Sequence, residues 1–337
     1  MGIDCHRSGN PIFMTENAEI VSKVLVHEEN EEILAQIRSF CDVNNLIGMR
    51  VRSGDLVEVI KGSINLGAIL LNGAEPQATI KMAHQIRRLR PEVPIFLRLE
   101  EGSSLEQLGL DAEQTESLFA GQYQLSDLSG LKKLVNSFVF SMHYPPSMVL
   151  GIQEISDTAL RSTFRDSVVN IGHPFIVRDK SIFGELLSLM ELESSWCRGY
   201  MMLQVDKPGL IDAIRDGRTS LPPEEARIRG IDSMLSEITN LIWGGIKGRF
   251  FSGSEQASTQ YRTQVPIIVN HVDKYITFGV NQPQLCIRYT VEDKDDHDSF
   301  ITVYQRFIFH MAWSPEQYKE SENAMNQMLN SGDLELF

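Results

Sequence analysis

The chain has 337 residues, of which 42% are hydrophobic and 23% charged, and its formal net charge is −14. This length suits two domains that each bury an apolar core. The negative charge repels nucleic acid and anionic membrane surfaces, and no basic patch of useful size offsets it, so we expect neither as a partner. The four cysteines form no CxxC pair, and no apolar run is long enough to span a membrane. We therefore expect a cytoplasmic protein with reduced thiols.

Residues 20–140 follow a short N-terminal tail, residues 1–19, and alternate candidate strands with helical patterns. The candidate strands are SKVLVH, MRVRS, LGAILLN, VPIFLRL and QYQLSD, and the helical patterns include EENEEILAQIRSFCDVNN and ATIKMAHQIRRLRP. Strands that alternate with helices through short loops predict an α/β domain with a doubly wound parallel sheet, of the flavodoxin-like type.

The segment HYPPSMVLGIQ interrupts this pattern. Pro145 and Pro146 cannot continue a helix and bias the preceding residues toward extended structure, so residues 141–155 are predicted to be a linker. The next helix is predicted over SDTALRSTFRDSVVNIG, with Ser156 or Asp157 as its N-cap.

Residues 156–313 have the composition of an α+β domain. Extended stretches run from HPFIVRDKS to ELLSLMELESSWCRGYMMLQVD and are followed by the helices PGLIDAIRDG and DSMLSEITNLIWGGIKGRF. The candidate strands QVPIIVN, KYITFGVN, QLCIRYTVED and SFITVYQRFIFHM are rich in β-branched and aromatic residues, which is typical of antiparallel sheet. The order agrees with a duplicated unit of one helix plus antiparallel strands. A final amphipathic helix, SPEQYKESENAMNQML, is predicted within residues 314–337.

The helix over residues 232–250 carries a polar stripe, because Ser233, Glu237, Asn240 and Gly244 share one face at helical spacing. An Asn carboxamide can hold a water in a fixed orientation, and a Glu carboxylate suits a Lys or Arg partner. Gly244 and its neighbour Gly245 each cost roughly 1 kcal/mol against alanine inside a helix. Close approach of another molecule or tight packing within the fold would explain the glycines. The stripe is either a solvated helix face or a site.

This helix resembles the signature helix of the CheC, CheX and FliY phosphatases of bacterial chemotaxis, and that of CheX most closely. The resemblance extends over about residues 156–313 and is carried by the run Ser233-x-x-x-Glu237-x-x-Asn240-Leu241-Ile242-x-Gly244-x-x-Lys247. Trp243 and Gly245 depart from the family pattern. The preceding helix pattern, TALRSTFRDSVVN, has no Glu-x-x-Asn, so the resemblance implies one centre of the CheX type.

The resemblance implies a phosphatase that acts on the aspartyl phosphate of a CheY-like receiver. Asn240 would orient the attacking water and Glu237 would contact the lysine of the receiver. Ser233, Gly244 and Lys247 would lie on the partner-binding surface. The enzyme would need no cofactor of its own, since the Mg²⁺ belongs to the receiver, and it would be a homodimer. A non-catalytic adaptor that binds a receiver through the same helix is the alternative function.

The order of elements in residues 20–140 resembles a response-regulator receiver domain. By this resemblance Glu28 and Glu29 stand in the position of the acid pair that holds Mg²⁺, and Asn72 stands where the phosphoacceptor Asp is expected. A carboxamide cannot form an acyl phosphate, and Arg98 or Leu99 replaces the hydroxyl residue that follows the fourth strand. The resemblance therefore implies a pseudo-receiver that serves docking or dimer geometry. An unrelated flavodoxin-like domain with surface glutamates is the alternative.

Overall fold

The computed structural model describes residues 19–52, 54–62, 65–103, 109–178, 182, 184–194, 196–251, 267–270, 282–294, 296 and 299–311. The predicted strand KYITFGVN and the predicted final helix lie outside this part of the chain, as does almost all of the N-terminal tail.

The N-terminal half is a parallel sheet with the strand order β2-β1-β3-β4-β5. Its strands are β1 (Val21–His27), β2 (Leu46–Val51), β3 (Leu66–Asn72), β4 (Ile95–Arg98) and β5 (Gly121–Tyr123). Its helices are α1 (Glu31–Val43), α2 (Leu56–Gly62), α3 (Pro76–Leu89), α4 (Ala112–Leu118) and α5 (Leu128–Phe138). The first six residues of β3 are buried, as expected of a parallel strand covered by helices on both faces. This strand order is the flavodoxin-like one, so the predicted fold class is confirmed.

The C-terminal half is a mixed unit of helices and antiparallel strands. Its strands are β6 (Ser167–Ile171), β7 (Phe175–Val177), β8 (Leu186–Glu193), β9 (Arg198–Val205), β10 (Ile267–Asn270), β11 (Gln284–Asp293) and β12 (Phe300–Met311). Its helices are α6 (Pro146–Thr163), α7 (Lys207–Arg215) and α8 (Ile228–Ile246). The strands pair antiparallel in the order β10-β8-β9-β12-β11-β7, and β6 also pairs with β11. The long helices α6 and α8 pack against each other, and α8 also contacts β8.

Two predictions around α6 are wrong. The helix begins at Pro146 and not near Ser156, so residues 146–155 of the predicted linker are helical. Proline is well suited to the first helical position, where its missing N–H has no intrahelical partner to lose. Ser156 lies in the helix interior, where it is buried and its hydroxyl donates to Gln305 Oε1 at 3.1 Å.

The C-terminal end of the same prediction also changes. The helix ends at Thr163, and Asp166 adopts a positive φ of 49° in the turn that follows. Residues 167–171, predicted as helix, form strand β6 because their backbone groups pair with β11. The bounds predicted for the domains stay a prediction.

The two halves share one sheet, which the sequence did not indicate. β1 pairs parallel with β7, so that Val21 faces Phe175 and Ser22 faces Ile176. The hydroxyl of Ser22 donates to the carbonyl of Ile176 at 2.7 Å, in a buried position. All twelve strands of the described chain thereby belong to a single sheet.

Side chains and the core reinforce this junction. Arg306 of β12 is 1% exposed and donates to Asn65 Oδ1, just before β3, at 2.9 Å. One hydrophobic cluster includes Val24 of β1 and Val135 of α5 together with Leu285 of β11. The two halves are therefore held by a shared core as well as by strand pairing. Within the described residues, no helix is both long and apolar enough to cross a membrane.

Candidate functional site

Helix α8 is fixed to the body of the protein by its apolar side. Met234, Leu235, Ile238 and Ile242 are buried on this side. Thr239, which is fully buried, adds a polar contact, because its hydroxyl lies 2.6 Å from the hydroxyl of Ser188 on β8. The rotation of α8 about its axis is thus set by both apolar packing and a buried hydrogen bond.

The polar stripe lies on the opposite, accessible side of α8. Ser233 and Asn240 are exposed, and Glu237 is half-buried. Throughout the described part of the chain, these three side chains have no hydrogen-bond or ion-pair partner. Glu237 and Asn240 are one turn apart, so both can reach one external object. The structure thus brings together the predicted residues of this face and leaves their polar atoms available.

The two glycines of α8 have different surroundings. A methyl group built on Gly244 would meet no atom within 4 Å, whereas one built on Gly245 would lie 2.6 Å from Cγ2 of Ile155 on α6. Gly245 therefore permits the close crossing of α6 and α8. Gly244 faces open space, so packing within the described fold does not require it. Tight packing within the fold thus explains Gly245, and the close approach of another molecule at Gly244 stays a prediction.

An aromatic cluster lies at the C-terminal end of α8. The helix continues into a π-helical turn, Lys247–Phe251. The ring of Phe251 makes edge contacts with Trp243, at a centroid distance of 5.4 Å, and with Trp196, at 5.5 Å. Trp243 is half-buried and lies one turn after Asn240, so its indole is held in a fixed orientation beside the stripe. Lys247, the last predicted partner-binding residue, is half-buried at the start of this turn.

Helix α6, with its bounds corrected, also carries two acids at i, i+3 spacing. They are Glu154 and Asp157, so α6 has Glu-x-x-Asp where α8 has Glu-x-x-Asn. Glu154 pairs with Arg249 at 2.5 Å, and Asp157 pairs with Arg161 at 2.8 Å. Both carboxylates of α6 have internal cations as partners, in contrast to Glu237 and Asn240 of α8.

The second predicted cluster lies at the carboxyl ends of the parallel strands. Glu28 directly follows β1 and is 2% exposed, and Asn72 ends β3. Asn72 Nδ2 donates to Glu28 Oε1 at 3.2 Å. The structure thus brings Glu28 and Asn72 into contact. Glu29 is exposed, and its backbone N–H donates to Glu28 Oε1 at 3.0 Å.

The sequence interpretation missed the partner at the centre of this cluster. Arg98, which ends β4 and is 3% exposed, donates to Glu28 Oε2 at 2.9 Å and to Asn72 Oδ1 at 2.7 Å. Arg98 pairs in register with Asn72 across the β3–β4 ladder. An arginine that ends a buried strand next to a strand ending in Asn is a sequence signal for such a contact, once the strand order is known.

Burial shifts the pKa values of two groups near this cluster, His27 and Tyr123. Burial lowers the pKa of His27, at the end of β1, against the opposing effect of Glu29 and Glu28. Burial likewise raises the pKa of the Tyr123 phenol, which ends β5. Within the described residues, no group of three or more His, Cys, Asp and Glu side chains could hold a metal ion.

The arrangement on α8 favours binding and positioning over covalent catalysis. A carboxamide offers both a donor and an acceptor, and a carboxylate offers acceptors only, so the pair Asn240 and Glu237 can orient a water and hold a cation. Neither group is an activated nucleophile with a neighbouring base. Any reacting centre would be brought by another molecule.

Comparisons with known proteins give partial likenesses only. The sequence matches no protein-family model, and a search of curated proteins gives no significant match. A CheC-like superfamily protein from Shewanella sp. PV-4 is 16% identical with a TM-score of 0.35, and the likeness covers 49% of this chain and 99% of that chain. The chemotaxis protein CheX from Vibrio vulnificus is 19% identical with a TM-score of 0.33, over 49% of this chain and 99% of that one. A response regulator receiver domain protein from Clostridium thermocellum is 13% identical with a TM-score of 0.30, over 35% and 96%. Each likeness thus concerns part of the chain at low sequence identity.

Proposed function

We propose that this protein is a signalling phosphatase that hydrolyses the aspartyl phosphate of a CheY-like response regulator. Asn240 orients the attacking water, and Glu237 contacts the lysine of the receiver. Catalysis of this kind works by positioning, since the metal and the phosphoryl group are carried by the receiver. The protein needs no cofactor of its own, and the Mg²⁺ is that of the partner.

The observation that carries the proposal is the state of the stripe on α8. Glu237 and Asn240 project from a helix whose opposite side is anchored by a buried hydrogen bond, and both lack partners within the described chain. Polar groups that are held on a rigid element and left unpaired are suited to an external ligand. The same residues carry the sequence resemblance to the signature helix of the CheX family.

The surroundings of the pair fit a protein partner. Gly244 presents open space one turn beyond Asn240, so the backbone of a partner can approach α8 closely. Ser233 lies one turn before Glu237 and Lys247 lies at the end of the helix, and we assign both to the partner-binding surface. By the family resemblance we also propose a homodimer that acts in the cytoplasm, together with its receiver.

The test follows the decay of a phosphorylated CheY-like receiver from the same cell, with and without this protein. Wild type should accelerate the decay, and Asn240→Ala should reduce that acceleration by about a hundredfold, as expected when a positioned water is lost. Glu237→Ala should raise the receiver concentration needed for half-maximal rate. Asn136→Ala is the matched control, because Asn136 is an exposed asparagine on helix α5 of the other half.

The control and the binding measurement separate the two functions. If Asn240→Ala and wild type give the same decay rate with every receiver tried, the enzymatic proposal is wrong. Receiver binding that persists in that case, and that Glu237→Ala weakens, would identify the non-catalytic adaptor instead.

A further inference from the structure

The carboxyl edge of the parallel sheet is where this kind of fold binds ligands. In open α/β sheets the crevice lies outside the carboxyl ends of the strands, at the point where the strand order reverses. In the order β2-β1-β3-β4-β5 that point lies between β1 and β3. Glu28 follows β1 and Asn72 ends β3, so both stand at this crevice.

Both oxygens of the Glu28 carboxylate accept hydrogen bonds from the chain itself. Its Oε1 accepts from the backbone N–H groups of Glu29 and Asn30, both at 3.0 Å, and from Asn72 Nδ2 at 3.2 Å. Its Oε2 accepts from Arg98 Nε at 2.9 Å. A carboxylate offers about two lone-pair sites on each oxygen, so the sites of Oε1 are fully used and the one left on Oε2 lies beside the guanidinium of Arg98.

All three nitrogens of the Arg98 guanidinium donate to side chains of this cluster or next to it. Nε donates to Glu28, Nη2 donates to Asn72 Oδ1 at 2.7 Å, and Nη1 donates to Glu100 Oε1 at 3.0 Å. The Arg98 side chain is 3% exposed, and an arginine does not lose its proton in proteins. The crevice therefore contains a permanent positive charge that the chain itself supplies.

The backbone around this cluster is closely fitted to it. The N–H of Gly73 donates to the carbonyl of Arg98 at 2.9 Å, and a methyl group on Gly73 would lie 2.5 Å from that oxygen. The hydroxyl of Thr79 donates to the carbonyl of Asn72 at 2.9 Å. Gly73 thus holds the segment after β3 against the end of β4, and Thr79 ties α3 to the end of β3.

We propose that Arg98 is a built-in cation that occupies the crevice in place of a bound metal, so that the N-terminal half is closed to divalent cations. A magnesium ion binds through carboxylate oxygens, but those of Glu28 are already engaged, and the ion would meet the charge of the guanidinium at the same position. The structure at the carboxyl ends of β1, β3 and β4 should therefore not change with the magnesium concentration. This inference concerns the N-terminal half alone and is independent of the function proposed for α8.

The test measures the thermal midpoint of the full chain as MgCl₂ is added at constant ionic strength. Wild type should show no shift, and neither should Asn72→Asp, because the introduced carboxylate faces Arg98. The double variant Asn72→Asp/Arg98→Ala should gain a magnesium-dependent rise of the midpoint, since two carboxylates are then left without a cation. If this variant is unfolded without magnesium, the quantity measured is the fraction that folds as Mg²⁺ is added.

The matched control is Asn72→Asp/Arg87→Ala. Arg87 is also partly buried, but it donates to backbone carbonyls, among them that of Leu118 at 2.7 Å, and it lies outside the crevice. This variant should be destabilised and should not respond to Mg²⁺. A magnesium response of wild type or of Asn72→Asp would overturn the proposal. So would the absence of any response in the Arg98 double variant, whether measured as midpoint or as folded fraction.

Discussion

Replacing each glycine of the pair on α8 by alanine should change the stability of the protein differently. For Gly244→Ala we expect a more stable protein, because the new methyl group meets no atom within 4 Å and alanine is the better helix former. For Gly245→Ala the same gain is opposed by a clash, because the methyl group would lie 2.6 Å from Cγ2 of Ile155.

The magnitudes follow from these surroundings. Helix propensity contributes about 1 kcal/mol to the free energy of unfolding in both variants. Overpacking against Ile155 costs about 1–3 kcal/mol, and this side chain yields little, because it is β-branched and only 8% exposed. Gly244→Ala should therefore raise the thermal midpoint by about 2 °C, whereas Gly245→Ala should leave it unchanged or lower it by a few degrees.

Phosphatase activity should fall more in Gly244→Ala than in Gly245→Ala. If a receiver lies on the stripe, the methyl group of Gly244→Ala occupies space that the partner needs, and we expect about a tenfold loss of receiver dephosphorylation, equivalent to about 1.4 kcal/mol. Gly245→Ala, measured below its unfolding transition, should lose much less. The assays are thermal unfolding by circular dichroism and the decay of the phosphorylated receiver. A stabilised Gly245→Ala would refute the packing argument, and a Gly244→Ala with full activity would refute the close approach of a partner.

Three further outcomes are expected from features of the body of the protein. Thr239→Val should lower the free energy of unfolding by about 1–3 kcal/mol in urea titrations, because it leaves the buried hydroxyl of Ser188 without its partner. An unchanged free energy would contradict the role of this hydrogen bond in holding α8. Burial raises the thiol pKa from 9.0 to about 11 for Cys41 and about 12 for Cys197, so the stability that these protonated thiols contribute is complete below about pH 9 and is lost as the pH rises through the folded values. Alkylation of the native protein at pH 8, followed by mass spectrometry, should accordingly spare both thiols, and rapid labelling would contradict their burial. Leu71→Ala in β3 should lower the free energy of unfolding by about 2–5 kcal/mol, because it leaves a cavity in the core. All tryptophans lie beyond residue 140, and the unfolding midpoint measured by their fluorescence should nevertheless fall, since the two halves share a core. An unchanged midpoint would mean that the halves unfold separately.

Sequence patterns predicted the elements well wherever a local signal was sufficient. The alternation of apolar runs and helical patterns gave the parallel half, because fully buried strands and amphipathic helices have distinct periodicities. The stripe on α8 followed from helical spacing alone, and the structure places its residues on the accessible face.

The misassigned elements depended on context that the local sequence does not contain. The sequence predicts Pro146 to lie in a linker, but it is the first residue of α6. Residues 167–171 form a strand only because β11 lies beside them, and the pairing of β1 with β7 joins residues more than 150 positions apart. The sequence shows that Arg98 stands where a receiver has a hydroxyl residue, but the contacts of Arg98 depend on the proximity of two other strand ends.

The position of Trp243 has a practical consequence for work on this protein. Its indole is half-buried, rests edge-on against Phe251 and lies one turn from Asn240. A molecule that covers the stripe would remove water from the outer side of this ring, whereas the other indole of the cluster, Trp196, is already buried. The unmodified chain thus contains its own optical reporter: a blue shift of tryptophan emission on mixing would signal occupation of the α8 face without any label.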